Sequence, residues 1–586
     1  DLFFSGNQVA SELYLNRGNM KFENVTSTSN IAYDSTWCTG VSVVDINNDG
    51  MLDIYVSTVS QIIGLDGQNK FYICKQIDEK GIPHYEDEAV KMGFDSSGYG
   101  TQSAFFDYDM DGDLDMFQLN HSTHKNNTFG QRKSFVNTVN KLSGDRMYRN
   151  DNGQFTDVSG IVGINRSSIG YGLGIVVCDI NMDGFPDLYI GNDFHENDYY
   201  YVNNGNGTFT ERLTEQMGHT SRFSMGVDAG DINNDGFPDI VSLDMQPEDP
   251  FILKKSEGED AMDIFNFKLD YGYNHQYAQN ALQLNNRNGT FTEIAAYAGI
   301  HATDWSWASL FTDFDNDGWK DLFITNGIPK RMNDIDYINF VSQNDVQYKI
   351  SMDRMEEKDL ELINKIPEIK LYNKFFINGG DLQFIDIEKR IKNNKISYSN
   401  GAVTADLDND GDIDIVSNNI NDKAFIYENK TCENNTCIKS SIKIQLKGPE
   451  KNINALGSKV VIFSKDTIKT YEKFPVRGFL SSFEAPLIVA SEGWQTADSI
   501  VLIWPDNTYQ KIEKTLKTEI KLTYKLRLPL FNYSSLLKNK VKNVLLEDMT
   551  AETGLKSVHK ENPFVEFNRE PLIPHAVSNE GPAIAV

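Results

Sequence analysis

The chain has 586 residues, with 84 Asp and Glu against 55 Lys and Arg, a formal net charge of −29. A surface this acidic excludes nucleic acid as the natural partner, because phosphate recognition needs clustered Lys and Arg. Apolar residues make up 40% of the chain, which excludes wholesale disorder, and no stretch approaches the roughly 18 uninterrupted apolar residues of a membrane helix.

The chain opens on Asp1-Leu-Phe-Phe-Ser-Gly-Asn7 with no initiator Met and closes on the apolar run Gly581-Pro-Ala-Ile-Ala-Val586, and is expected to be a segment of a longer protein. Between these ends the pattern D-x-D/N-x-D-G-x-x-D occurs six times. Positions 1, 3, 5, 7 and 9 are Asp45, Asn47, Asp49, Met51 and Asp53 in the first copy and Asp107, Asp109, Asp111, Asp113 and Asp115 in the second. They are Asp179, Asn181, Asp183, Phe185 and Asp187 in the third, and Asp231, Asn233, Asp235, Phe237 and Asp239 in the fourth. The last two copies supply Asp313, Asp315, Asp317, Trp319 and Asp321, then Asp406, Asp408, Asp410, Asp412 and Asp414. Apolar, β-prone residues flank each copy, such as Val41-Ser-Val-Val44 and Ile54-Tyr-Val-Ser57 around the first, so each reads as a tight loop joining adjacent antiparallel strands. Asp1 reads as position nine of a seventh copy, since Leu2-Phe-Phe-Ser-Gly-Asn7 resembles Leu188-Tyr-Ile-Gly-Asn192.

The spacing prescribes a chemistry. Side-chain oxygens at positions 1, 3 and 5 converge when the loop coils, Gly at 6 permits the sharp turn, and a carbonyl at 7 and a carboxylate at 9 complete an oxygen-only shell. That is calcium ligation, resembling the start of an EF-hand loop but closing in nine residues. Without a cation the carboxylates would repel one another strongly. Six calcium ions, bound for a structural purpose, would take the formal charge from −29 to −17.

Downstream of the motifs a hairpin pattern recurs, with strands ending at Asn16, Asn150, Asn203, Asn285, Asn378 and Asn429 followed in most copies by an Asn/Gly-rich turn. Each repeat therefore supplies about four antiparallel strands, one propeller blade, and six full motifs plus Asp1 predict seven blades. Motif starts lie about 72 residues apart on average; the excess is in insertions at 122–145, 245–280 and 328–370, the last predicted to be helical and to cap one face.

These motifs resemble the FG-GAP/VCBS repeats of integrin-type calcium β-propellers, and more closely bacterial proteins of the cartilage-acidic-protein type, in which the propeller precedes an ASPIC/UnbV domain. That domain is matched by Asn454-Ala-Leu-Gly457-Ser-Lys-Val460, Val476-Arg-Gly-Phe-Leu-Ser-Ser482 and Ile500-Val-Leu-Ile-Trp504-Pro505-Asp506. The implied organisation is an all-β chain: a seven-bladed propeller over 1–435, an ASPIC/UnbV β domain over 440–528, and a linker with the beginning of a second propeller over 529–586. The resemblance further implies an extracellular or outer-membrane surface location, as a lipoprotein, with a protein or glycan as partner and an outer-membrane transporter or assembly complex as one candidate.

Eight residues before the motifs stand the aromatics Trp37, Tyr99, Tyr171, Phe223, Trp305 and Tyr398; five residues before them stand Gly40, Gln102, Gly174, Gly226, Ala308 and Gly401. The aromatics are expected to wedge between blades, with a stacking platform for a sugar or peptide as the alternative. Phe194-His-Glu-Asn-Asp-Tyr-Tyr-Tyr201 reads as a solvated blade loop, and His121 and His124 as part of an exposed one. Cys38, Cys74 and Cys178 are expected to be buried thiols, while Cys432 and Cys437 are spaced for a local bridge in an oxidising compartment. The sequence holds no H-E-x-x-H, G-x-S-x-G or P-loop motif. A non-catalytic surface module that binds a protein or glycan is therefore favoured over a propeller enzyme acting on polysaccharide.

Overall fold

The computed structural model describes residues 1–586 except 32–35, 63, 95–97, 123–129, 137, 345, 348–364, 434–435, 438, 538–545, 547, 561, 571–572 and 574–586. The chain is all-β. Among the described residues the first 430 build seven antiparallel sheets of three or four principal strands, each running in chain order from one edge to the other. In the fourth sheet the strands are Gly172–Cys178, Asp187–Asn192, Tyr199–Asn203 and Phe209–Glu211. The inner strands of the other sheets are Trp37–Val44, Gly100–Phe106, Val227–Gly230, Ser306–Thr312 and Ser399–Ala405, and each pairs with the strand that begins at position nine of the loop following it. The first sheet begins directly with such a second strand, Leu2–Phe4, paired with Glu12–Asn16. Second strands such as Asp115–Asn120, Asp187–Asn192 and Asp321–Asn326 are buried at every position, because sheets cover both faces; this explains apolar runs such as Leu188-Tyr-Ile190 and Leu322-Phe-Ile324.

One kind of side chain ties neighbouring sheets together at five junctions. Asn203 of the fourth sheet donates through Nδ2 to the carbonyl of Tyr108, at position two of the preceding sheet's loop, at 2.9 Å. Asn285, Asn378 and Asn429 reach Ile180, Ile232 and Phe314 in the same way at 2.9, 2.8 and 2.8 Å. Asn16 closes the order by reaching Leu407 of the seventh sheet at 2.8 Å. The backbone amides of these residues donate to the position-nine carboxylates, and Asn16 N donates to Asp1 Oδ1 at 2.8 Å in the same manner.

Residues 441–523 fold as two further sheets around their own core, in which Trp494 and Trp504 are fully buried. One sheet orders Leu487–Ala490, Ser441–Lys447 and Glu519–Thr523; the other orders Ile468–Glu472, Lys459–Phe463, Ser499–Ile503 and Tyr509–Lys511. The insertions carry short helices. Pro250–Lys255 is capped by the Asp249 carboxylate, which accepts from Phe251 N and Ile252 N, and Ile335–Val341 is capped likewise by Asp334. The helix expected over 328–370 is thus found at 335–341, while 348–364 lie outside the described residues. Of the stretch 529–586, expected to hold a linker and the beginning of a second propeller, the described residues include the short helical turns Tyr533–Ser535, Thr550–Thr553 and Glu566–Asn568, while 538–545 and 574–586 lie outside the described residues.

Cys74 and Cys178 are buried, but Cys38 is half-exposed, because it lies near the start of an inner strand and lines a large cavity. Cys432 is disulfide-bonded and stands opposite Cys437 in a two-stranded ladder.

Candidate metal centres

All six nine-residue loops share one backbone. The residue at position four is left-handed in each (Asn48, Met110, Met182, Asn234, Asn316 and Asn409, φ 53 to 63°), and the Gly after position five follows at φ 85 to 100°. Two left-handed residues flanking position five coil the loop, and Gly at the second carries no steric penalty. In five loops the position-one carboxylate then holds the turn, as Asp179 accepts Asp183 N at 2.9 Å on Oδ1 and Gly184 N at 2.8 Å on Oδ2, whereas Asp406 of the sixth loop faces Lys443 Nζ at 2.8 Å. In five loops the position-nine carboxylate folds back to accept the amide of position two, as Asp321 does from Phe314 N at 2.8 Å.

Among the described residues, three of the six loops bring carboxylates of the expected set together. Asp107, Asp109 and Asp115 offer carboxylate oxygens within 4.8 Å of one another, as do Asp313, Asp315 and Asp321, and Asp406, Asp408 and Asp410. Among the ligand positions, Asp109 Oδ1, Asp315 Oδ1 and Asp406 Oδ1 are buried and accept no hydrogen bond. Buried carboxylate oxygens without a donor are what an oxygen-ligated cation satisfies, so the donor set fits a hard divalent ion. Burial, with the neighbouring carboxylates adding to it, pushes Asp53, Asp107 and Asp313 up to about 7 and Asp115 to about 9. Asp187, Asp239 and Asp321 rise well above the usual carboxylate range for the same reason.

These shifts set a pH dependence. A carboxyl whose pKa is raised by folding binds its proton more tightly in the folded chain than in the unfolded one, so its charge destabilises the fold above that pKa and the penalty is relieved as pH falls. In excess chelator the melting temperature is therefore expected to climb as pH is lowered from 9 to 6, and to show no such climb with calcium present. A chelated protein whose melting temperature is flat or falls over that range would contradict this.

The loops are covered by residues 439–536, each of the six touched by that part of the chain. Ile453 N donates to Asn48 Oδ1 at 3.1 Å, and Lys451 Nζ lies 3.0 Å from Asp113. Lys459 Nζ lies 3.1 Å from Asp179, while Asn507 Nδ2 donates to the Gly184 carbonyl at 2.9 Å. Ile468 N donates to the Asn234 carbonyl at 2.9 Å and Thr470 N to Asp231 Oδ2 at 3.1 Å. Lys439 Nζ lies 3.2 Å from Asp315, and Lys443 Nζ 2.8 Å from Asp406. Met182, left-handed and so costly in backbone terms, packs with Phe237, Val461, Val501, Ile503 and Leu536 in a cluster shared by the two domains.

Between Glu472 and Leu487 the chain leaves the C-terminal domain and runs as a strap among the inner strands. Gly478 and Val227 exchange backbone bonds at 2.9 and 3.1 Å. Arg477 pairs through two nitrogens with the fully buried Asp228, at 2.7 and 2.6 Å. Phe479 packs on Trp307 with ring centroids 4.8 Å apart, and Leu480 O accepts Val41 N at 3.3 Å. The small residues of the inner strands are explained by this crowding: a Cβ on Gly226 would lie 2.0 Å from the Trp307 carbonyl, and one on Gly401 2.6 Å from Ser481 Oγ. A cavity of about 1090 Å³ remains beside the strap, lined in part by Phe3, Trp37, Val41, Ala402, Phe479 and Leu480.

The opposite face carries the three insertions, because second strands start at the loops and end there. Of the six aromatics, Tyr171, Phe223, Trp305 and Tyr398 are buried, whereas Trp37 and Tyr99 are half-exposed. The segment Phe194–Tyr201 is not the solvated loop expected. Glu196 and Asp198 are buried: Glu196 pairs with Arg132, its Oε1 2.6 Å from Nη2, and Asp198 accepts Asn192 N at 2.8 Å. Arg132 belongs to one insertion, and Gln276, which donates to the Glu196 carbonyl, to another; both fold over the segment. The His121 ring lies edge-on to Tyr171 at 5.1 Å; His124 is outside the described residues.

The sequence comparisons agree with this geometry. The FG-GAP-like repeat family matches residues 1–56, 179–242 and 262–324, and the ASPIC and UnbV family matches residues 448–526. The chain carries FG-GAP-like repeats in an all-β propeller framework followed by an ASPIC/UnbV domain. Such repeats often bind calcium, and proteins bearing them are typically extracellular or surface-associated. No described helix is long and apolar enough to cross a membrane. No curated protein matches the chain. Among solved structures, an Agrocybe aegerita lectin that recognises non-reducing terminal N-acetylglucosamine is 12% identical, with 81% of this chain and 91% of that chain covered and a TM-score of 0.35. The rhamnogalacturonan lyase YesW is 10% identical over 72% of this chain and 76% of that one (TM-score 0.29). The Vibrio cholerae biofilm matrix protein Bap1 is 11% identical over 81% and 63%, with a TM-score of 0.23. At these scores the likeness says nothing of ligand or reaction.

Proposed function

We propose that the protein is a non-catalytic, calcium-stiffened module of the cell surface that binds a protein or glycan through the face opposite the loops, as an accessory lipoprotein of an outer-membrane complex. Calcium occupies the six loops, held by positions 1, 3, 5 and 9 and the carbonyl of position 7 at about 2.3–2.6 Å. The observation that carries this reading is the covering of all six loops by the C-terminal domain. Ions placed there stand inside an interface, away from any open cleft, so they staple and do no chemistry. The opposite face keeps exposed apolar side chains on two adjoining insertions, among them Phe251 (72% exposed), Phe267 (53%) and Met332 (57%). Those insertions meet where Glu257 N donates to the Asn333 carbonyl at 2.7 Å.

The test is capture from native envelopes in calcium with the intact chain and with the triple variant Phe251→Glu, Phe267→Glu, Met332→Glu. The intact chain is expected to retain a defined partner or glycan that the variant, equally stable, loses. Equal capture by both would move the binding surface elsewhere, and measurable turnover of a polysaccharide by the intact chain would overturn the non-catalytic reading.

A further inference from the structure

The loops do a second job that ligand spacing does not require. We propose that the calcium-loaded loops are the latch that docks the C-terminal domain and seats its strap in the channel, so that calcium withdrawal releases both; this rests on the calcium reading above.

Three observations meet here. The first is charge. Residues 439–527 hold 15 Lys and Arg against nine Asp and Glu, a basic domain in a chain of net −29. Each loop has at least three carboxylates, so each keeps at least one uncompensated after a divalent ion binds. Loading therefore weakens the attraction for Lys439, Lys443, Lys451 and Lys459 without abolishing it, so release on calcium withdrawal has to come from the change in loop shape, against this charge term.

The second is which atoms the domain uses. It bonds to backbone carbonyls whose direction is set by the coil of the loop: Asn234 O, Gly184 O, and Gly236 O, which accepts Thr470 Oγ1 at 3.1 Å. It also takes position four, which plays no part in ligation. Asn48 accepts Ile453 N, Asn316 donates to the Lys439 carbonyl at 3.4 Å, and Asn409 accepts Lys443 Nζ at 2.9 Å. An emptied loop with three to five facing carboxylates repels itself open and withdraws both sets of groups together.

The third is continuity. Thr470 contacts the fourth loop, and Arg477, seven residues on, is paired with Asp228 inside the channel. Undocking the domain therefore pulls on the strap and uncovers the apolar inner surface around Trp307, together with six acidic loops. Because coupling is reciprocal, docking tightens calcium binding by the factor by which calcium tightens docking.

The experiment is hydrogen exchange on the full chain at stepped free calcium, with bound calcium counted in the same samples. As calcium leaves, the amides of Ile453, Ile468, Thr470 and Gly478 are expected to lose protection at least ten-fold, before the amides of the C-terminal sheet (Val461, Leu502) and of the fourth sheet (Val176, Ile190). In parallel, the variant Asn48→Gly, Asn316→Gly, Asn409→Gly keeps every ligand and the left-handed backbone. In saturating calcium it is expected to exchange faster at the same interface amides and to need about five-fold more calcium for half-loading. Calcium that binds and leaves with interface protection unchanged would overturn the latch while sparing the calcium sites. A variant with unaltered interface exchange and calcium midpoint would overturn it too, and a chain that binds no calcium would overturn both readings.

Discussion

Chelating calcium from the intact chain is expected to lower its melting temperature by more than about 10 °C. A ligand present at 100 times its dissociation constant adds about 2.7 kcal/mol per site to the folded state, and six sites lie in one cyclic framework. The loss also spreads. The carbonyl at position two of five loops is the acceptor for the next sheet's Asn, so a loop that opens loosens its own sheet and the one after it. Calorimetry with and without chelator, with bound calcium counted by elemental analysis, decides the matter. A shift of only a few degrees after the ions have gone would show that the loops are not staples.

Replacing Arg477 with Ala is expected to cost about 3–5 kcal/mol, the usual penalty for leaving one member of a buried ion pair uncompensated. Asp228 is fully buried; its Oδ2 also accepts Phe311 N at 2.6 Å, so it cannot turn to solvent. The double variant Arg477→Met, Asp228→Asn keeps an acceptor for Phe311 and removes the stranded charge, and it is expected to recover most of the loss. Denaturant unfolding at neutral pH in calcium measures both. An Arg477→Ala protein within about 1 kcal/mol of the parent would mean that the strap does not hold the channel as the hydrogen bonds indicate.

Where the sequence sufficed, the interactions were local. The six loops, their ligand order and the hairpins on either side were legible because every oxygen of a shell lies within nine consecutive residues, and because apolar runs flank the motif on both sides. Asp1 was legible for the same reason: Leu2-Phe-Phe-Ser-Gly-Asn7 follows it as strands follow position nine elsewhere, and its carboxylate accepts Asn16 N as the others accept theirs. The ASPIC/UnbV stretches were recognisable as short motifs, while their placement was not.

What the tertiary structure alone decided rests on partners far apart in the chain. The asparagines at 16, 203, 285, 378 and 429 read as turn residues, yet each reaches a loop of the neighbouring sheet; Asn16 and Leu407 are 391 positions apart. Val476–Ser482 read as a domain signature, and it is the strap that fills the channel, with Arg477 and Asp228 separated by 249 positions. Phe194–Tyr201 looked polar enough for solvent until Arg132 and Gln276 folded over it. A carboxylate or an amide states in sequence what it can bond to, and the local spacing of a loop states how its own oxygens converge. Which distant donor arrives is settled by packing: a basic domain can neutralise an acidic face only once six loops from separate sheets have been gathered on one side of the molecule.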